Sequence, residues 1–384
     1  MTSVHTILFA GGGTGGHISP NLAIVERLHE RKAPVYPHFV VSSRAVDAQV
    51  LLKEKLDFTP LPAVGLAVAR PWTWWRFYKA YQAAVLRAAA LIAQTQPAAL
   101  IATGGFVSAP AVEAAKRAGV PTAMVNLDAV PGKANRLLAR KVTETFTCYP
   151  CEELRHARRV GMPLPRSKVA PPEVTPGDAR KQLGLDPDRP TILVTAGSQG
   201  ALTVNQALAD LTTRPRARHA LQSWQVLHLT GGGAPERDAA QKAYDDARVP
   251  ARCEAFCNAM GLAWRAATIA IARAGASSVA EVWANAVPTL FMPYPFHRDQ
   301  HQRLNAQPLV DHGAAIIVTD AIDPVQNATA LMGPLLALMS NDAHRQAMTD
   351  RLKLQRPDDG ADAVAQWVCN LIHHPFAGTP RALA

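Results

Sequence analysis

The chain alternates between short runs of consecutive apolar residues and longer stretches in which apolar positions recur every three or four. Ile7-Leu8-Phe9-Ala10 is the first run, and His38–Ser42, Ala99–Thr103 and Pro121–Val125 follow. A run that is apolar at consecutive positions reads as a strand covered on both faces. A helix over about Pro20–Arg31 and further helical stretches separate these runs, so the pattern predicts a doubly wound parallel sheet. Between about 160 and 190 it lapses into Met162-Pro163-Leu164-Pro165, Pro171-Pro172, Pro176-Gly177 and Asp186-Pro187-Asp188-Arg189-Pro190, read as a linker. It then restarts with a strand at Thr191–Thr195 and a helix from about Thr203. Strands follow near Trp224–Leu229, Arg252–Ala255, Thr268–Ala272, Pro288–Met292 and Ala315–Val318, and Pro324–Leu371 is helical. The expected architecture is α/β with two Rossmann-like domains, 1–165 and 166–355. Residues 356–384 form a C-terminal helix and tail packing back on the first domain. Parallel sheets facing across a cleft would place a ligand between their carboxyl ends.

Glycine loops punctuate both halves. Gly11-Gly12-Gly13-Thr14-Gly15-Gly16 lies between a strand and a helix and formally matches a dinucleotide fingerprint. The acid that an NAD site wants at the end of the second strand is missing from Val40-Val41-Ser42-Ser43-Arg44, although Ser43 and Arg44 would suit a 2′-phosphate. An NADP enzyme is therefore an alternative on this loop alone. Backbone N–H groups at a helix N-terminus bind phosphate of any kind. Three more loops share that chemistry: Thr103-Gly104-Gly105-Phe106, Gly197-Ser198-Gln199-Gly200 and Ala274-Gly275-Ala276-Ser277-Ser278. Four such loops over two halves suggest two phosphate-bearing ligands. His17 stands where the first loop becomes a helix, and a neutral imidazole there could take a proton from a hydroxyl nucleophile; a packing or capping histidine is the plainer reading. Glu281, about one turn into the helix after the fourth loop, could accept both hydroxyls of a ribose, or simply favour the helix dipole. The polar stretch from His297 to Asn305 could read sugar hydroxyls.

Charge and composition narrow the partners. The 384 residues carry 40 Lys and Arg against 30 Asp and Glu, a net +10, which favours something anionic. No Asp or Glu occurs from residue 58 to 112, while Arg70, Arg76, Lys79 and Arg87 do, together with Trp72, Trp74, Trp75, Phe77, Tyr78 and Tyr81. Trp72, Trp74, Trp75, Arg76, Phe77 and Lys79 suit an interfacial helix on an anionic membrane surface, the alternative being a core helix with its aromatics inward. No nucleic-acid-binding pattern is present, so nucleic acid is not an expected partner. Five cysteines make no disulfide scaffold. Cys148-x-x-Cys151 and the distant Cys253 and Cys257 read as reduced, partly buried thiols, with no metal expected. No apolar run of about 18 residues suggests a spanning helix, and no leader is read at the N-terminus, so the cytoplasm is the expected place.

Taken jointly, Gly12-Gly13-Thr14-Gly15-Gly16-His17-Ile18-Ser19-Pro20, Gly197-Ser198-Gln199-Gly200-Ala201, Arg273–Glu281 and the stretch from His297 to Asn305 resemble the motifs of the MurG family. These are GT-B transferases of glycosyltransferase family 28. The resemblance runs in order over residues 5–320. It implies an inverting transfer of N-acetylglucosamine from UDP-N-acetylglucosamine to a polyprenyl-diphosphate-linked muramyl peptide, lipid I to lipid II, in peptidoglycan synthesis. It also implies roles in cell shape and division, cell-wall synthesis proteins as partners, and a peripheral place on the cytoplasmic face of the inner membrane. No metal or other cofactor is implied. The acceptor diphosphate would lie against Gly13, Thr14, Gly15, Gly16, Gly104 and Gly105. Ser198, Gln199 and Gly200, with Ala276 and Ser277, would lie near the nucleotide phosphates. Phe256 to Met260 would border the uracil, Glu281 would take the ribose, His301 and Gln302 the sugar, and His17 would be the base.

The chain departs from the family in three places. Val125-Asn126-Leu127-Asp128 precedes Ala129-Val130-Pro131-Gly132 where members read His-Glu-Gln-Asn, so either Asp128 is a second base candidate at the acceptor site or the acceptor differs. Phe106 replaces a tyrosine, and Ala170-Pro171-Pro172-Glu173-Val174 replaces Gly-Asn-Pro-Val-Arg. A GT-B transferase with another lipid acceptor, or a non-catalytic two-domain binder, are the alternatives.

Overall fold

The computed structural model describes residues 4–12, 15–64, 74–154, 156–195, 200–296 and 299–373. The chain forms two compact units, Met1–Pro165 with Pro357–Ala384, and Arg166–Arg356.

Unit one runs β1 (His5–Gly11), α1 (Gly15–Glu30), β2 (Val35–Ser42), α2 (Ala45–Lys53), β3 (Asp57–Leu61), α3 (Trp74–Thr95), β4 (Ala99–Gly104), α4 (Ser108–Arg117), β5 (Thr122–Asn126), α5 (Lys133–Leu138), β6 (Glu144–Thr147) and β7 (Arg158–Arg159). Its strands are all parallel, in the order β3-β2-β1-β4-β5-β6-β7. Ile7, Leu8, Phe9, Leu100 and Ile101 are fully buried because helices cover both faces. The first helix starts at Gly15 rather than near Pro20. Pro20 is the sixth residue of this helix, in its second turn, where it costs one backbone hydrogen bond near the N-terminal end.

Unit two runs α6 (Pro176–Gln182), β8 (Thr191–Thr195), α7 (Leu202–Thr213), α8 (Pro215–Gln222), β9 (Gln225–Leu229), α9 (Ala234–Asp246), β10 (Ala251–Glu254), α10 (Met260–Ala266), β11 (Ile269–Ala272), α11 (Ala276–Asn285), β12 (Thr289–Phe291), α12 (His301–Asp311), β13 (Ala315–Ile317), α13 (Pro324–Ser340) and α14 (Asp342–Leu354). The strand order is β10-β9-β8-β11-β12-β13, again parallel. The stretch expected to be linker up to residue 190 is structured. Pro176 opens α6 at its first turn, and the Thr175 hydroxyl accepts from Asp178 N at 3.1 Å, a capped helix start that the proline count disguised. In the core, His228 on β9 lies between Tyr244 Oη at 3.1 Å and Asn205 Oδ1 at 3.0 Å, and burial pushes it down to about 3, so it packs as a neutral ring.

The chain then returns to unit one as α15 (Gly360–His373), packed on α1. The buried Arg27 guanidinium joins Asp359 at 2.8 Å and the Leu164 carbonyl at 3.1 Å, and Arg31 meets Asp362 at 2.7 Å. This clasp fixes the helix whose N-terminus carries His17.

Candidate active site

In an open parallel sheet the ligand crevice opens at the carboxyl ends of the strands, where the strand order reverses. That point lies between β1 and β4 in unit one and between β8 and β11 in unit two. The four glycine loops follow those four strands. Gly13, Thr14, Ser198, Gln199 and Trp72 lie outside the described residues, as do His297 and Arg298.

In unit one the two loops are locked together. Gly104 and Gly105 have φ of +110° and +78°, the region that favours glycine. A Cβ on Gly105 would strike the Gly12 carbonyl, and one on Gly104 would come within 3.0 Å of the His17 ring. The Thr103 hydroxyl donates to the His17 carbonyl at 2.7 Å, and the Ser108 hydroxyl donates to the Gly104 carbonyl at 2.6 Å. The His17 imidazole therefore lies over Gly104. Burial lowers its pKa, opposed by the charges of Asp128 and Asp47. Asp128 follows β5, where the Asn126 amide donates to its carbonyl at 2.8 Å and is itself bonded by Asn135 at 3.1 Å. Gly15 and Gly16 open α1 beside His17. The end of β2 carries no acid, as its sequence reads, and the nearest carboxylate comes from α2. Asp47, fully buried, accepts from the Ser42 hydroxyl at 2.5 Å and presses on Gly12, where a Cβ would come within 2.7 Å of its Oδ2. Asp47 is only three residues beyond Arg44, but its contact with Gly12 is tertiary and leaves no mark in the local sequence. Arg44 stacks over Phe106, 5.5 Å from the ring centre.

In unit two, Gly200 has φ of +70°, and a Cβ there would strike the Thr230 carbonyl. Gly275 precedes α11 and has no side chain to cap Ala276 and Ser277, so that helix start is open to an acceptor from outside. Glu281, the sixth residue of α11, is buried. Its Oε1 accepts from Lys168 Nζ at 2.8 Å and its Oε2 from Trp264 Nε1 at 2.9 Å. Neither partner was anticipated. Phe256 is 61% exposed and Met260 opens α10, so a planar group has a free aromatic face there. His301 and Gln302 open α12 behind Gln300, a non-glycine residue at φ +47°; backbone held there is strained, as at sites that aim side chains. His301 Nδ1 lies 2.9 Å from Asp299 Oδ1, and Gln302 Oε1 accepts from Tyr294 N at 2.9 Å. Arg273 immediately precedes the fourth loop. It is a buried strut that donates to Asp320 at 2.8 Å, to the Met292 carbonyl and to the Thr203 hydroxyl. Burial alone would raise the Asp320 carboxyl, but hydrogen bonds from Thr203, Asn327, the Ile322 N–H and Arg273 outweigh it and lower it. Among the described residues no group of three or more His, Cys, Asp or Glu is placed to hold a metal ion.

The N-terminal part of α3 is not a core helix. Trp74, Trp75 and Tyr78 are 49%, 59% and 62% exposed, and Lys79 sits 5.1 Å over the Trp75 ring. Arg76 is exposed and Phe77 half-buried, while Ala84, Val85, Ala88, Leu91 and Ile92 form the buried face farther along. No helix among the described residues is long and apolar enough to cross a membrane.

Residues 7–147 match the glycosyltransferase family 28 N-terminal domain and residues 191–364 its C-terminal domain. The chain is a family 28 glycosyltransferase. Curated relatives bear the name UDP-N-acetylglucosamine–N-acetylmuramyl-(pentapeptide) pyrophosphoryl-undecaprenol N-acetylglucosamine transferase. One from Nocardioides sp. is 33% identical, covering 95% of this chain and 98% of its own; one from Clavibacter sepedonicus is 34% identical, covering 94% and 95%. The solved structure of Acinetobacter baumannii MurG superposes with a TM-score of 0.69 at 22% identity, covering 95% of this chain and 99% of its own. A putative UDP-N-acetylglucosamine 2-epimerase from Listeria monocytogenes gives 0.65 at 12% identity, covering 96% of each chain. Both share the fold of this family 28 chain, and the match over both halves overturns the NADP-enzyme reading of the first loop.

Proposed function

We infer that this chain is an inverting transferase that moves N-acetylglucosamine from UDP-N-acetylglucosamine to a lipid-linked muramyl-pentapeptide acceptor. The observation that carries this is full-length similarity, at 33–34% identity, to relatives named for that transfer. Glycine-rich loops that follow the strands at both switch points, and a histidine at one of them, are in keeping with it. In this reading the acceptor diphosphate lies against Gly13–Gly16 and Gly104–Gly105. The UDP diphosphate meets Ser198, Gln199, Gly200, Ala276 and Ser277. Uracil stacks near Phe256 and Met260, the ribose binds Glu281, and the sugar meets His301 and Gln302. The acceptor hydroxyl attacks the anomeric carbon, its proton passes to the His17 imidazole, and the bond from that carbon to the β-phosphate oxygen breaks, releasing UDP with the electron pair. Backbone N–H groups at the start of α11 would stabilise the leaving diphosphate without a metal. UDP release from UDP-N-acetylglucosamine is expected only when a polyprenyl-diphosphate sugar is added, in buffer containing a chelator. Asp128 beside His17 favours a second reading, another lipid acceptor on the same scaffold. An acceptor panel decides between them: turnover with lipid I supports the first, and turnover with a different lipid but none with lipid I supports the second.

The exposed aromatic and cationic start of α3 supports a peripheral position on an anionic membrane, at the cytoplasmic face where nucleotide sugars are found. Indole rings lie at headgroup depth, and each cation near the surface contributes about 1 kcal/mol. Trp74→Ser with Trp75→Ser is expected to cut pelleting with anionic vesicles severalfold while UDP binding is kept. Unchanged pelleting would remove α3 from the membrane face.

A further inference from the structure

Glu281 is held from two sides by residues that no phosphate loop contains. The turn Arg166–Lys168 brings Lys168 Nζ to Oε1 at 2.8 Å, and α10 brings Trp264 Nε1 to Oε2 at 2.9 Å. The carboxylate side chain is 8% exposed and the lysine 28%. The turn is itself gripped by the helix that carries Glu281. Asn285, one turn on, donates from Nδ2 to the Lys168 carbonyl at 3.0 Å and accepts at Oδ1 from Ala170 N at 2.6 Å. Gly261 lets the turn lie directly on α10, since a Cβ there would come within 2.5 Å of the Val169 carbonyl and 3.1 Å of the Ser167 carbonyl. Trp264 projects from that same α10, three residues beyond Gly261. A lone surface ion pair needs none of this apparatus.

We propose that Lys168 and Trp264 are positioning residues of the nucleotide site, fixing one lone pair of each Glu281 oxygen so that the remaining lone pairs meet the two hydroxyls of a ribose. The proposal rests on Glu281 being the ribose acceptor. A carboxylate has about four acceptor positions, so two resident donors leave two for a cis-diol. Fixed orientation is what turns such an acceptor into selectivity for ribose over deoxyribose, because a hydroxyl bonded to a charged group contributes most when the geometry is preset.

The test is calorimetry of the full chain with UDP and with 2′-deoxy-UDP. The wild type is expected to bind UDP roughly tenfold tighter than the deoxy analogue. Lys168→Met is expected to lose most of that tenfold for UDP and little for 2′-deoxy-UDP, so the ratio falls toward one, and Lys168→Arg is expected to restore it. Trp264→Phe keeps a buried aromatic ring while removing the N–H donor together with part of the indole's bulk, a loss that weakens both nucleotides alike if it acts through packing; through the donor it should reproduce the lowered ratio even where Lys168→Met fails to fold. Equal weakening of both nucleotides would place Lys168 on the phosphates and overturn the proposal, as would a preference that both variants retain. A wild type that binds neither nucleotide sinks the donor-site reading and this assignment together, whereas one that prefers UDP with variants that do the same sinks this assignment alone.

Discussion

His17→Ala is expected to lower turnover by roughly 10²–10⁴-fold, the usual contribution of a positioned base, while UDP affinity stays unchanged. The ring is in unit one, over Gly104, and the residues proposed for UDP are in unit two, so the loss falls on the acceptor side and the chemical step, not on UDP binding. A pH profile separates His17 from Asp128 as the base. As the proposed base, His17 works in its neutral imidazole form. Burial holds its pKa below 6.5, so activity is complete at neutral pH and is lost as pH falls through that lowered value. The charges of Asp128 and Asp47 pull the other way by favouring the imidazolium. Asp128→Asn removes one of them, so the acid limb of kcat/KM is expected to move to still lower pH with the plateau largely kept. If Asp128 is the base instead, Asp128→Asn abolishes turnover at every pH and His17→Ala spares it.

The placement of the four glycine loops was legible in the chain because strand, loop and helix each leave a local mark: an apolar run, glycines, then helical periodicity. What was not legible was everything brought in from another element. Asp47 reaches Gly12 from the helix after β2, and Lys168 and Trp264 reach Glu281 from a turn and a helix more than 10 residues away along the chain. Their side chains give no local signal, since a lysine before a proline-rich stretch and a tryptophan in an apolar helix are ordinary. The segment 160–190 misled for the converse reason. Pro176 is a helix starter when a threonine cap precedes it and a breaker otherwise, and composition does not distinguish the two. The aromatic stretch before Ala84 is ambiguous in sequence because core and interfacial helices use the same residues; exposure of Trp74, Trp75 and Tyr78 excludes the core reading.

Gly105→Ala is expected to reduce turnover by at least about 100-fold, the scale on which a 1 Å misplacement of a reacting group acts. Two costs coincide at this position. At φ +78° a side chain adds backbone strain of about 1 kcal/mol or more. The larger cost is steric, because the new methyl group would strike the Gly12 carbonyl, which is backbone and cannot rotate away. The second loop must then lift off the first. Gly104 and the His17 ring lie against each other one residue away, so the proposed base moves with the loop. Gly119 provides the control. Its φ is +71°, but a Cβ there meets nothing within 4 Å, so Gly119→Ala carries the strain without the collision. It is expected to shift the thermal midpoint by a few degrees and leave turnover unaltered. Steady-state assays of both variants with UDP-N-acetylglucosamine and lipid acceptor, beside calorimetry with UDP, check the contrast. Gly105→Ala should fail with the acceptor and still bind UDP, because its damage is confined to unit one. Equal turnover in the two variants would mean that the contact between the loops does not hold the base in place.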